Sequence, residues 1–268
     1  MPLLEVNKVK IYYEMKNESG KEVVAFFNGV AASVASWGFQ VPVFEKAGYK
    51  IILHDFKGQL LSDKPAGPYT FHEHAAEAKA LFDHLGVKKA HIIGTSYGGE
   101  VAMQLAIDYP DCVKTLSVID SVSELDDVLK MFVASWKSLA EKKNVDDFFN
   151  AMMPTVYSSS FMAKNRAYIE ERKKTYSLIP PEFFKGQVAL YETFASINMT
   201  ADLPKINCPT LVVCGQDDIL KPVRFSRIIS DQIADSEFAL VPDCGHACLL
   251  EKPAVLNSLL LGFVAKNS

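Results

Sequence analysis

A chain of 268 residues, 49% hydrophobic and 22% charged, can bury a substantial core as one large domain or as one domain with an insertion, which excludes a disordered chain. A formal net charge of -4 without a Lys/Arg cluster excludes a nucleic-acid footprint or an anionic-membrane surface and leaves a small molecule as the expected partner. There is no apolar run of about 18 residues and no secretory-signal pattern at the start, and the five scattered cysteines read as reduced thiols, so no membrane insertion and a cytoplasmic location are expected.

In chain order, two strand-like runs come first, Leu3 to Val6 and Val9 to Met15. Strands are then expected at Val23 to Phe27, Lys50 to His54, Ala90 to Gly94 and Thr115 to Ile119. They alternate with helical patterns at Trp37 to Lys46, Phe71 to Leu85 and Glu100 to Tyr109, the last ended by Pro110. Such alternation implies parallel strands joined by helical crossovers. From Ser121 to about Leu203 strand patterns cease, and helical stretches follow at Leu125 to Ala140, Val145 to Met153, Phe161 to Tyr176 and Pro181 to Ile197. The earlier rhythm then returns, with strands Thr210 to Cys214 and Glu237 to Val241 around a helix from Pro222 to Ile233, and a closing helix from Ala247 to Val264.

The economical organisation is a core formed by residues 1-120 and 204-268, with a helical cap, 121-203, inserted between two strands. In that cap Leu125, Val128, Leu129, Phe132, Trp136 and Leu139 share one helical face. Most such side chains form the cap's own small core; Trp136 and Phe132 are the candidates for facing a substrate.

The chemistry gathers at loops that follow strands. Gly94-Thr95-Ser96-Tyr97-Gly98-Gly99 places a serine at a tight strand-to-helix turn, where side chains at positions 94 and 98 would collide with neighbouring chain. A serine hydroxyl needs a histidine base and an acid that fixes the histidine tautomer before it can attack a carbonyl. The loop Gly215-Gln216-Asp217-Asp218 after one late strand and the loop Pro242-Asp243-Cys244-Gly245-His246 after the next supply both. His72, His74, His84 and His91 are expected to be solvated or structural, and His54 is assigned no chemistry. Cys244 and Cys248 flank His246, but two thiols without further convergent ligands do not make a metal site, and no metal or other cofactor is expected.

The full set of motifs resembles the α/β-hydrolase fold superfamily: Phe27-Asn28-Gly29-Val30, the block from His54 to Pro65, the elbow around Ser96, Gly215-x-x-Asp218-x-x-x-Pro222, and Gly245-His246. The resemblance covers nearly the whole chain. It implies a mostly parallel eight-stranded sheet flanked by helices, with the helical cap after the sixth strand. It further implies a triad of Ser96, Asp218 and His246, with Asp217 and Asp120 as rivals for the acid, and an oxyanion hole from the main-chain N-H groups of Val30 and Tyr97. Asn28 and Gly29 are expected beside the substrate together with Trp136 and Phe132. Two positions depart from the common pattern: Asn28-Gly29 stands where many relatives have His-Gly, and Gln59-Leu60-Leu61-Ser62 where they have Gly-x-Gly-x-Ser.

These features point to a serine hydrolase, a carboxylesterase acting through an acyl-enzyme on a small ester or lactone. Asn28 and the stretch Gly67-Pro68-Tyr69-Thr70 are also similar to 3-oxoadipate enol-lactonases. Enol-lactone hydrolysis, C-C bond hydrolysis and cofactor-free perhydrolysis on the same triad therefore stand as alternatives. A hydrolase-fold receptor with little turnover is the reading from a different class. A homodimer stays open.

Overall fold

The computed structural model describes residues 2–20 and 22–268. Eight strands form the sheet: β1 (Leu3–Val6), β2 (Val9–Lys16), β3 (Val23–Phe27), β4 (Lys50–His54), β5 (Ala90–Thr95), β6 (Val113–Ile119), β7 (Thr210–Gly215) and β8 (Ser236–Val241). Their order across the sheet is β1-β2-β4-β3-β5-β6-β7-β8. The first two pairings, β1 with β2 and β2 with β4, are antiparallel and the other five are parallel.

The inner strands are apolar on both faces because helices cover both sides. Phe26 and Phe27, Ile51 and Ile52, and Ile92 and Ile93 are neighbouring pairs whose members go to opposite faces, as the two-residue period of a strand requires. On one face Phe26, Ile51 and Ile93 pack with Trp37, Phe44 and Phe263. The other face carries Phe27, Ile52 and Ile92 against α2 (Phe71–His84) and α3 (Tyr97–Asp108). Helix α2 begins with a capping box: Thr70 Oγ1 accepts from the Glu73 N-H at 3.0 Å, and Glu73 Oε2 accepts from the Thr70 N-H at 2.8 Å.

Between β6 and β7 the chain forms α4 (Asp127–Lys142), α5 (Val145–Val156), α6 (Ser159–Lys164), α7 (Arg166–Tyr176) and α8 (Glu182–Phe194), with no strand among the described residues. After β7 come α9 (Val223–Gln232), then α10 (Cys248–Glu251) and α11 (Pro253–Lys266) beyond β8. Three helices expected to be continuous are divided, each for a local reason. The stretch from Phe161 to Tyr176 breaks at Asn165, whose side chain donates to the Phe161 carbonyl at 2.9 Å and so competes with the helical ladder. The closing helix restarts at Pro253, which cannot donate to a preceding turn but fits a first helical position. The stretch from Trp37 to Lys46 resolves into a short 3-10 turn, Val34–Trp37, and helix α1 (Val41–Lys46), with Pro42 in its first turn. Among the described residues no helix is long and apolar enough to cross a membrane.

Candidate active site

Parallel strands β3, β5, β6, β7 and β8 all end at one edge of the sheet, and the loops there bring together groups far apart in sequence. Ser96 follows β5 with φ 52° and ψ −122°, a conformation that a residue with a side chain holds only under constraint. The constraint is visible: the Ser96 N-H donates to the Ile119 carbonyl at 2.8 Å, and the Ser121 hydroxyl donates to the Ser96 carbonyl at 3.0 Å. A Cβ at Gly94 would lie 2.4 Å from the Gly98 carbonyl oxygen, and one at Gly98 would lie 2.1 Å from that of Phe27. Both positions of the elbow therefore admit only glycine without displacing backbone.

Ser96 Oγ lies 2.9 Å from His246 Nε2, and His246 Nδ1 lies 2.8 Å from Asp218 Oδ2. The other carboxylate oxygen of Asp218 accepts the N-H groups of Leu220 and Lys221 at 2.9 and 2.8 Å, which fixes the carboxylate plane. All three side chains are buried. Of the rival acids, Asp217 is exposed. Asp120 is buried at the end of β6, where its Oδ1 accepts the Gly215 N-H at 2.8 Å instead of reaching the histidine. Burial and the neighbouring Asp218 charge push the Asp120 carboxyl up to about 7. For His246 burial disfavours the cation, but the charge and hydrogen bond of Asp218, aided by Asp120, outweigh it and the net shift is upward.

Asp120, Cys214 and Asp218 bring three ligand-type atoms within 4.8 Å of one another. Three of the four carboxylate oxygens are already engaged, by Gly215, by Leu220 and Lys221, and by His246, so a cation there would have to dismantle the serine-histidine-aspartate chain. Cys214 is pushed up by burial, away from the thiolate a metal takes. The other histidines lie elsewhere. His54 is buried against the rings of Phe27 and Phe56, and burial pulls its pKa down to about 3.

A cavity of about 130 Å³ opens over Ser96. It is lined on the sheet side by Gly29, Val30 and Tyr97 and on the helical side by Trp136, Met152 and Tyr191. The ideal Cβ position of Gly29 is 3.6 Å from Ser96 Cβ, so the loop after β3 runs directly past the nucleophile candidate. Gln187, on α8, donates to the Val30 carbonyl at 3.2 Å and ties that loop to the helices above it.

Two of the expected substrate contacts are corrected. Asn28 does not line the cavity: its amide nitrogen, with two protons to donate, lies 2.8, 3.0 and 3.1 Å from the His54 carbonyl, Asp55 Oδ1 and Gln59 Oε1, while its oxygen accepts from Trp37 Nε1. It anchors the loop from below, since both ends of its amide bond groups inside the protein. Phe132 also lies off the cavity, packed beside Trp136 with ring centroids 6.5 Å apart, because the i, i+4, i+7 stripe of α4 that turns inward consists of Leu129, Val133 and Trp136.

Sequence reasoning did not single out Lys221 or Glu100. Lys221 Nζ is 3.1 Å from Ser96 Oγ and 2.7 Å from Glu100 Oε1, and it lies over the Phe194 ring at 4.6 Å. Both side chains are buried. Glu100 also accepts the Val122 N-H at 3.0 Å. Burial raises the Glu100 pKa, and the Lys221 charge opposes that rise. The available signal was a glutamate in an apolar first helical turn and a lysine closing the acid loop before Pro222.

The sheet, the elbow and the loop order define the class: this chain belongs to the α/β-hydrolase fold family, whose model matches residues 22–253, and it is a hydrolase of that family. Among particular proteins, it is 27% identical over 265 residues to a protein of Azorhizobium caulinodans provisionally named carbamate hydrolase RutD, with 98% of each chain covered. It is likewise 27% identical over 266 residues to a 2-hydroxy-6-oxononadienedioate/2-hydroxy-6-oxononatrienedioate hydrolase of a Pseudomonas species, covering 92% of this chain and 89% of the other. The solved structure of MGS-M2, an α/β-hydrolase enzyme from a Medee basin deep-sea metagenome library, superposes with a TM-score of 0.94 at 28% identity, covering 98% of this chain and 97% of that one.

Proposed function

We propose that this protein is a serine hydrolase that cleaves a carboxylic ester of a small acyl group through an acyl-enzyme. The observation that carries the reading is the unbroken chain from Ser96 Oγ through His246 to Asp218, with contacts of 2.9 and 2.8 Å. His246 takes the hydroxyl proton as Ser96 attacks the carbonyl, and Asp218 holds the imidazole in the tautomer that presents Nε2 to Oγ. The main-chain N-H groups of Val30 and Tyr97 receive the developing oxyanion; both residues border the cavity, and neither amide has a loop or inter-element main-chain acceptor among the described residues. His246 then gives that proton to the leaving alcohol, takes one from the water that attacks the acyl-enzyme, and passes it to Ser96 Oγ as the C–Oγ bond breaks and the acid is released.

The cavity supports a small acyl group, since a dry apolar cavity of roughly 150 Å³ admits benzene. The helical segment from 121 to 203 acts in this reading as a cap that shapes the acyl site, through Trp136, Met152 and Tyr191. A fluorophosphonate probe should label Ser96, and Ser96→Ala should abolish both the labelling and the hydrolysis of p-nitrophenyl acetate. Retained turnover in that variant would overturn the reading. The likeness to the dienedioate hydrolase of Pseudomonas favours a second reading, C-C bond hydrolysis on the same triad. Turnover of a vinylogous diketone exceeding that of simple esters would select it.

A further inference from the structure

The ion pair beside Ser96 does more than the bond from the Val122 N-H to Glu100 requires, since it adds a buried cation. A buried Lys-Glu pair is commonly no better for stability than apolar residues of the same volume, because desolvation offsets the attraction. Yet Lys221 and Glu100 stand at the one point where a charge changes the chemistry, with Nζ 3.1 Å from the Ser96 hydroxyl oxygen.

An ammonium has three protons to donate. Glu100 Oε1 and Ser96 Oγ take two, and the third has no oxygen acceptor among the described residues; that side of the ammonium meets the Phe194 ring and the cavity. The hydroxyl contact is itself temporary, since an acylated Oγ is an ester oxygen and a poor acceptor. Glu100 holds the ammonium in place from behind and is not among the residues lining the cavity. The lining contains Lys221, Arg172 and His246 but no aspartate or glutamate, and Arg172 has no carboxylate within ion-pair distance among the described residues. A small, otherwise apolar cavity thus presents cations with no acid facing them.

We propose that Lys221 determines specificity, and that the acyl group accepted by Ser96 carries a carboxylate two or three bonds from the scissile carbonyl. Reach sets that span. In a near-attack arrangement the carbonyl carbon lies roughly 3–3.5 Å from Oγ, and Nζ is 3.1 Å from the same oxygen, so oxygens on a short acyl arm fall within hydrogen-bond distance of the ammonium. A methyl ketone of the same shape keeps one acceptor oxygen but no charge, so the ammonium exchanges a charge-to-charge hydrogen bond in a largely apolar pocket for a weaker one to a neutral group, and the carboxylate is preferred. This inference rests on the serine-hydrolase reading and narrows its substrate to monoesters or lactones of short dicarboxylic acids.

The test compares kcat/KM for monomethyl malonate with methyl 3-oxobutanoate, and for monomethyl succinate with methyl 4-oxopentanoate, each pair differing only by carboxylate against methyl ketone. The expected result is at least a tenfold preference for the anion in one pair. Lys221→Met combined with Glu100→Gln, which leaves no buried lone charge, should reverse that preference, and Lys221→Arg should keep it. Protection of wild-type Ser96 from a fluorophosphonate probe by millimolar malonate or succinate, absent with isosteric ketones, gives the same answer without relying on a variant. Preference for the neutral ester in both pairs, or a ratio within twofold of wild type in the double variant, would overturn the inference. Ser96 labelled and neutral esters cleaved without anion preference would sink this inference alone, whereas no labelling and no ester turnover would sink the hydrolase reading with it.

Discussion

Trp37 donates its indole N-H to the side-chain oxygen of Asn28 at 2.8 Å, and both residues are fully buried. The opposite end of the same amide ties Asn28 to His54, Asp55 and Gln59. This is how the chain fixes the loop that passes Ser96 without the histidine-glycine pair many relatives carry. Asn28→Leu leaves the buried indole donor unpaired, at a cost of about 1–3 kcal/mol, while Asp55 Oδ1 and Gln59 Oε1 lose the amide but keep the Val34 and Phe56 N-H groups. The expected outcome is a loss of about 1–3 kcal/mol in urea unfolding, and in the folded fraction a kcat lowered more than KM is raised, because Val30, the proposed oxyanion donor, loses its place. Trp37→Phe removes a single donor and should lose less of both.

Gly98 offers a sharper steric test. A methyl group there would overlap the Phe27 and Asn28 carbonyl oxygens at 2.1 and 2.6 Å, and neither atom belongs to a flexible side chain. Gly98→Ala should therefore fail to fold, or fold with the elbow displaced and the proposed ester hydrolysis near background. Gly262→Ala is the control, since nothing lies within 4 Å of a Cβ at that position in α11. It should match or slightly exceed wild-type thermal stability, because alanine is favoured over glycine in a helix by up to about 1 kcal/mol.

Much of this arrangement is legible in the chain, and the reason is local. The strands announce themselves by apolar runs, Gly94 and Gly98 by the turn they permit, and Asp218 and His246 by standing just after strands that end at the same edge. Helix ends were less legible where one residue decides them, as at Asn165 and Pro253. Long-range polar pairing was not legible at all. Glu100 and Lys221 are 121 positions apart, and no periodicity tells which lysine will be buried against which glutamate. Asn28 failed in the opposite sense: its position beside Gly29 suggested the substrate, and only the packing of Trp37, His54 and Gln59 under the loop shows that its amide faces inward.

Asp218→Asn separates orientation from mere presence of a polar group. An asparagine can still accept from the Leu220 and Lys221 N-H groups through its oxygen, but it turns an NH2 towards His246 Nδ1. The imidazole then favours the tautomer that places a proton on Nε2, where it cannot take one from Ser96. The expected loss in kcat for a neutral ester is on the order of 10³- to 10⁴-fold with little change in thermal stability. Steady-state kinetics beside a melting curve would check it, and a loss below tenfold would return the acid role to Asp120.

The pH profile provides an independent reading of the same charges. In the proposed mechanism His246 must be neutral to accept the serine proton, so kcat/KM should fall on the acid side as the imidazole protonates. Burial works against that protonation, but Asp218 first and Asp120 after it favour the cation and win, so the acid limb should lie above the ordinary histidine value of 6.5. Asp120→Asn removes one of the two carboxylates while keeping an oxygen for the Gly215 N-H, and it should move the limb to lower pH and raise activity at pH 6 relative to the plateau. The same variant changes the stability profile. Asp120 is raised to about 7 in the folded protein, so the stability it contributes is full below its unfolded value near 3.8 and is lost as pH rises through about 7. Wild type should therefore lose melting temperature between pH 5 and pH 8 relative to Asp120→Asn. An unmoved limb together with parallel melting curves would show that Asp120 stays neutral throughout this range and leaves the imidazole to Asp218 alone.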